Sequence, residues 1–421
     1  MDLFTLITLL IVVAAAFAYL NTRLLKLPDA IGIMVVSLAF SLLLLGLGVV
    51  QPAWSAAARH TVASIKFDQV LFDVMLSLLL FAGAFHTDAA LLNVERRSVV
   101  LFALVGVLLS TGLIGTGLYY LSQWLGLGLS FPLCLLFGAL ISPTDPIAVL
   151  GILARLKLPE SVKLNIVGES LFNDGVGVVV FATIYLIVLG GPGSVGAGDV
   201  ARLFLQEAGG GLLFGLGLGY GLYRLLRSIN HYQTEVLLTL AAVMGGYLLA
   251  QHLHISGPLA MVVAGLLVGQ RGRQDAMSQQ TEEYVDKFWE LLDVILNALL
   301  FVLIGIELLV IKFETSYWLL SGLAVGLVLA ARFLSVWVPY RLAKPWLTLD
   351  DKAPVMMTWG GLRGGISVAL ALSISDAVPH KPLIVAITYA VVLFSVIVQG
   401  LTLERLIKRL YPEGTDETPT A

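Results

Sequence analysis

Ser142-Pro-Thr-Asp-Pro146 places two prolines around a polar pair in the middle of an apolar run, about 131–153. A second interruption, Gly360-Gly-Leu-Arg-Gly-Gly365, sets four glycines around one arginine in the run at about 354–375. Proline removes a backbone donor and clashes with the preceding turn. Glycine weakens a helix interior. Both runs are therefore expected to be broken helices. Non-helical backbone at membrane depth is tolerated where it lines a cavity, and a matched pair of breaks in the two halves of a chain points to a transporter's ion site.

The two runs belong to a long series. Of 421 residues, 58% are hydrophobic and 13% charged, and mean hydropathy is +0.93. A soluble domain carries roughly a quarter charged residues, so this chain lacks the material for a polar skin and lipid must cover much of it. At about 20 apolar residues per membrane helix, the chain reads as an all-α polytopic membrane protein of about thirteen spans. Their ranges are 3–20, 29–50, 69–86, 99–125, 131–153, 162–190, 203–226, 233–252, 257–270, 289–310, 316–340, 354–375 and 382–403. The breaks fall in the fifth and twelfth. That offset fits two inverted six-helix repeats, 3–190 and 233–403, with a connector helix at 203–226. Residues 1–410 then form one transmembrane domain and 411–421 a short polar tail. Gln274 to Lys287 is too polar to span and is expected to be a loop or an interfacial helix joining the halves.

Basic residues set the orientation. Eighteen of the 25 lysines and arginines fall in one set of connections, among them Arg96, Arg155, Lys157 and Lys344; five fall in the other, among them Lys312. The bias puts the N-terminus outside and the C-terminus in the cytoplasm. Asn21-Thr-Arg-Leu-Leu-Lys26, after the first run, is not a small-residue cleavage site, so that run is expected to remain as span one. A net charge of −3 gives no reason to expect nucleic acid as a partner. The single cysteine, Cys134, excludes disulfide frameworks and cysteine metal sites.

Ionisable residues at membrane depth cost several kcal/mol and mark function by default. Asp145 lies in the first break. Glu169 and Asp174 lie in Gly168-Glu-Ser-Leu-Phe-Asn-Asp-Gly175, inside span six; Arg332 and Arg363 lie in spans eleven and twelve. A hard monovalent cation wants oxygen ligands, which Thr144, Ser170, Asn173 and Asp174 supply. A carboxylate holds either a proton or a cation, so such a site exchanges the two by competition. Glu169 and Asp174 stand five residues apart, about 500° around a helix. Asp174 can therefore bind an ion while Glu169 pairs with an arginine, Arg332 or Arg363. His86 ends span three, where a histidine can titrate. Gly168-Glu-Ser170 superficially offers a nucleophile, but nothing marks an oxyanion hole and no His-Glu-x-x-His sequence occurs. An enzyme is not expected.

At these motifs the chain resembles the monovalent cation:proton antiporter 1 family, the sodium/proton exchangers of the bacterial and archaeal NhaP type and their animal NHE relatives. The matching stretches are the two breaks, Gly168 to Gly175, Phe288-Trp-Glu290 with Leu303-Ile-Gly-Ile-Glu307, and Ala331-Arg-Phe-Leu-Ser-Val336, in family order. The resemblance implies thirteen helices in an inverted repeat, a homodimer in the cell membrane, and alternating access by a moving six-helix core. It puts Na⁺ on Asp174 with Thr144 and Ser170 as ligands and Asn173 beside them. It makes Asp145 a partner of the half-helix ends at the crossover and pairs Glu169 with Arg332. The electrogenic branch is expected to carry Asp-Asp where this chain has Asn173-Asp174, and a lysine in span ten, where none lies between Lys287 and Lys312. One exchangeable carboxylate implies electroneutral exchange. The short tail implies a prokaryotic form. No cofactor is expected beyond the transported Na⁺ and H⁺; K⁺ or Li⁺ as substrate and a passive cation channel are the alternatives.

Overall fold

The computed structural model describes residues 3–63, 65–145, 149, 153, 156, 158–191, 196–311 and 317–412. Pro146, Arg155, Lys157, Lys312 and the tail from 413 lie outside the described residues. Among the described residues every regular element is a helix. In chain order those that matter here are α1 (Phe4–Leu25), α2 (Asp29–Gly48), α3 (Leu76–His86), α4 (Arg96–Trp124), α5 (Phe131–Ile141), α6 (Glu160–Gly190) and α7 (Gly210–Arg227). There follow α8 (Tyr232–His252), α9 (Gly257–Leu267), α10 (Gln279–Glu307), α11 (Tyr317–Trp346), α12 (Ala353–Gly360), α13 (Gly365–Ser373) and α14 (Lys381–Leu410).

Each of the thirteen expected ranges contains helical residues among those described, but not all are full crossings. Among the described residues nine helices are long and apolar enough to cross a membrane, ten when the bent pair α12–α13 counts as one. The expected spans 131–153, 203–226 and 257–270 fall short of that measure. In the first, α5 ends at Ile141, before the prolines, and most of 146–153 lies outside the described residues. The second meets α7, rich in glycine, and the third α9, only 11 residues long.

The polar stretch 274–287 differs from expectation too. From Gln279 it is the opening of α10, one unbroken helix of 29 residues. The Ser278 hydroxyl caps it by accepting from the Thr281 amide at 3.3 Å. Thr281, Val285 and Trp289 are buried, one turn apart. An inward stripe thus runs through the polar region and carries the helix into the bundle. A further helix, Pro52–Ala63, lies between the second and third expected spans, with proline at its first position.

Small residues let the helices approach closely. Gly211 and Gly215 of α7 face α9 so tightly that an added Cβ would stand 2.6 Å from the carbonyl oxygens of Ser256 and Ala260. α2 meets α10 through Ser37 and Ser41, whose hydroxyls donate to the carbonyls of Val302 at 2.9 Å and Gly305 at 2.8 Å.

Candidate functional site

The two breaks meet. α5 ends at Ile141; the hydroxyl of Ser142, the next residue, donates to the Gly138 carbonyl at 2.6 Å, and residues 142–145 leave helical geometry. α12 ends at Gly360 and α13 starts at Gly365, bent by 54°. The Asp145 amide donates to the Leu362 carbonyl at 2.7 Å. Arg363 Nη1 donates to the carbonyls of Ser142 and, at 2.9 Å, Pro143. The Arg363 amide donates to Ser395 Oγ of α14 at 2.9 Å. Each break therefore supplies the hydrogen-bonding groups that the other has freed. Gly364 is where the chains touch, for an added Cβ there would overlap Asp145 Oδ2.

α6 runs past the crossover as one helix of 31 residues and sorts its polar residues by face. Ser170 and Asn173, three apart and so neighbours on the surface, face the first break. Thr144 Oγ1 lies 2.9 Å from Ser170 Oγ. The Asn173 amide grips Thr144 twice: Nδ2 donates to Oγ1 at 2.8 Å, and Oδ1 accepts from the backbone amide at 3.2 Å. With both ends of its amide on Thr144, Asn173 holds the break in place. Asp174 follows and is 7% exposed. It shares with Asp145 the lining of a cavity of about 680 Å³.

Glu169 points elsewhere. It forms a two-pronged pair with Arg332 of α11: Oε2 accepts from Nη2 at 2.9 Å and Oε1 from Nη1. Arg332 Nη2 also donates to the Met357 carbonyl at 3.2 Å. Both residues are buried. The tie between the two arginines is thus broken by position: Arg332 takes the carboxylate, and Arg363 takes helix-end carbonyls.

The cavity wall carries further charged and titratable groups beside Asp145 and Asp174. Glu290 and Asp293 of α10, Asp88, Glu160, Lys163 and His86 all line it. The signal was present for Asp293, an acid inside expected span ten, but the count of loop charges weighed basic residues alone. Glu235 is the converse case. This acid in α8 is buried and lies away from the crossover, with Oε1 accepting from the His231 amide at 3.0 Å and the Thr281 hydroxyl at 3.4 Å.

The family described as sodium/hydrogen exchanger, transmembrane, matches residues 11–409. The chain belongs to the sodium/hydrogen exchanger family. This exchanger-family chain is similar to the Na(+)/H(+) antiporter NhaP of Pseudomonas aeruginosa, with 46% identity over 412 residues and 96% of each chain covered. It is 36% identical to the Na(+)/H(+) antiporter NhaH of Halobacillus dabanensis over 412 residues, covering 97% of this chain and 98% of that one. The solved sodium proton antiporter MjNhaP1 of Methanocaldococcus jannaschii aligns with a TM-score of 0.77 at 22% identity, covering 97% of this chain and 99% of that one. At that identity the likeness is one of fold.

Proposed function

We propose that this chain is an electroneutral sodium/proton antiporter that exports cytoplasmic Na⁺ in exchange for H⁺ by alternating access. One observation carries the reading: Asp174 reaches the large cavity from the helix whose Ser170 and Asn173 clasp Thr144 at the first break. Cation and proton compete for the Asp174 carboxylate. Thr144 and Ser170 contribute hydroxyl oxygens as ligands, and Asn173 holds Thr144 where the ion can reach it. Asp145 and Arg363 satisfy the crossover. Glu169 and Arg332 fix α6 against α11 without touching the ion. No covalent chemistry takes place, and one carboxylate carries one cation or one proton.

The likeness to proteins named as Na(+)/H(+) antiporters supports the choice of substrate. Around the site we place two inverted six-helix repeats, a homodimer in the cell membrane, the N-terminus outside and the C-terminus in the cytoplasm. The excess of basic residues in one set of connections supports that orientation. The test is purified protein in proteoliposomes under a pH gradient. Na⁺ should collapse the gradient, with no change when the membrane potential is clamped. Asp174→Asn should abolish the response. Full exchange by that variant would remove Asp174 from its role, and a response that follows the clamped potential would remove electroneutrality.

A further inference from the structure

A second, much smaller pocket lies among α11, α12 and α14, and none of its lining residues lines the large cavity. Its wall includes Arg332, Thr358, Gly361, Arg363 and Gln399, closed by apolar residues such as Val328. Its volume is about 10 Å³, which is room for the centre of a single water.

Two donors on this wall lack a protein acceptor among the described residues, Arg332 Nε and Arg363 Nη2. Arg332 is 4% exposed and Arg363 2%, so bulk solvent does not serve them. Other donors of both groups already have protein acceptors. Arg332 spends Nη1 and Nη2 on Glu169 and Met357, and Arg363 spends Nη1 on Ser142 and Pro143. A buried donor on a charged group is costly to leave unpaired. An occupant must therefore accept two hydrogen bonds and be no larger than water.

The remaining polar groups distinguish water from an anion. The Thr358 hydroxyl donates to the Pro354 carbonyl at 2.7 Å, so its oxygen is free only to accept. Gln399 Nε2 donates to the Trp359 carbonyl at 3.3 Å, and Oε1 accepts from Ser395 Oγ at 2.6 Å with a lone pair left over. A halide cannot donate to the Thr358 and Gln399 oxygens. A water has two lone pairs for the arginines and two hydrogens for Thr358 and Gln399.

We infer that one ordered water occupies this pocket, accepting from Arg332 Nε and Arg363 Nη2 and donating to Thr358 Oγ1 and Gln399 Oε1. The site adds a second link between α6 and the first break, beside the Asn173–Thr144 bonds on the cavity side. Glu169 and Arg332 lock α6 to α11, Arg363 grips the first break, and the water ties one arginine to the other. The Glu169 pair is thereby coupled to the crossover from behind. This assignment stands or falls independently of which ion is transported.

The experiment is a map of the full chain in nanodiscs at a resolution that shows ordered water, alongside crystals grown in sodium bromide. The expected result is one peak within hydrogen-bond distance of both named nitrogens, without anomalous signal. An empty pocket would overturn the inference, and so would a bromide signal there. Thr358→Ser keeps the acceptor and should keep the peak, while Thr358→Val should lose or weaken it. A peak unchanged in Thr358→Val would remove Thr358 from the bonding scheme proposed.

Discussion

Replacing Arg332 with methionine leaves Glu169, 1% exposed, without its counter-charge. Removing one partner of a buried ion pair costs about 3–5 kcal/mol, whereas replacing both with apolar groups of similar volume is close to neutral. For 421 residues the entropy of unfolding makes each kcal/mol worth about 1 °C in the unfolding midpoint. Arg332→Met should therefore lower the midpoint by about 3–5 °C. Glu169→Leu should do the same, since it strands a guanidinium whose remaining protein acceptor is the Met357 carbonyl. The double variant should return to within about 2 °C of the parent, because neither charge is then left alone. The assay is intrinsic-fluorescence thermal unfolding of purified protein in detergent, with exchange measured in parallel. If the double variant falls by the sum of the two singles, the pair is not coupled and the reasoning fails. Exchange adds a second check: a pair that supports the site without binding the ion predicts residual Na⁺-driven proton movement in the double variant.

Gly364→Ala should cut exchange at least tenfold, because the new methyl would overlap Asp145 Oδ2 at the crossover. Gly46→Ala, which meets nothing within 4 Å, is the control and should behave as the parent. Ser170→Ala removes one hydroxyl and its 2.9 Å contact with Thr144. At about 1 kcal/mol for such a bond, the sodium concentration for half-maximal exchange should rise about fivefold, and an unchanged value would free Ser170 from the ligand set. At the end of α11, Lys344 and then Tyr340 hold the Asp351 carboxyl below its ordinary range. A lowered folded value means that this stabilisation is complete above the ordinary carboxylate range and is lost as pH falls through the lowered value. The midpoints of the parent and Asp351→Asn should therefore converge on acidification below about pH 4. The gap above that pH should be small because the pair is exposed.

Much of this architecture was legible because bilayer physics writes it in one dimension. Long apolar runs must be helices, and Pro143 or the glycines around Arg363 must break them wherever they fall. Arg332 and Arg363 were visible as buried charges, yet the residues alone left the partner of Glu169 tied between them, and only the family resemblance named Arg332. Both sit in apolar runs, and only the three-dimensional crossing puts Glu169 beside one and the carbonyls of Ser142 and Pro143 beside the other. Asn173 was legible as an oxygen source, but its grip on Thr144 came from a contact 29 residues away in sequence. The polar opening of α10 misled for a different reason. Its composition says loop, while the burial of Thr281, Val285 and Trp289 at four-residue spacing makes it helix. Composition averages over a segment, and periodicity resolves its faces.

The crossover explains why both breaks are needed. A single break at membrane depth would strand carbonyls and amides, each costing several kcal/mol where water cannot reach. Here the amide of Asp145 is satisfied by Leu362, and the carbonyls of Ser142 and Pro143 by Arg363. The Asp145 amide and the carbonyls of Ser142 and Pro143 are satisfied from the other break, so neither half can shift alone without exposing these groups. The stretch that carries Thr144 and Asp145 must therefore travel with the stretch that carries Arg363. α6 is bound to the first by Asn173 and to α11 by Glu169. A displacement of the ion site relative to the rest of the bundle then has to carry α5, α6, α11, α12, α13 and the Ser395 stretch of α14 as one body. A disulfide introduced within that body should leave exchange intact, whereas one joining it to α2 or α10 should arrest exchange until it is reduced. Arrest by the internal crosslink would mean that the broken helices slide past each other, and the mutual satisfaction of the two breaks would then describe one state rather than a rigid unit.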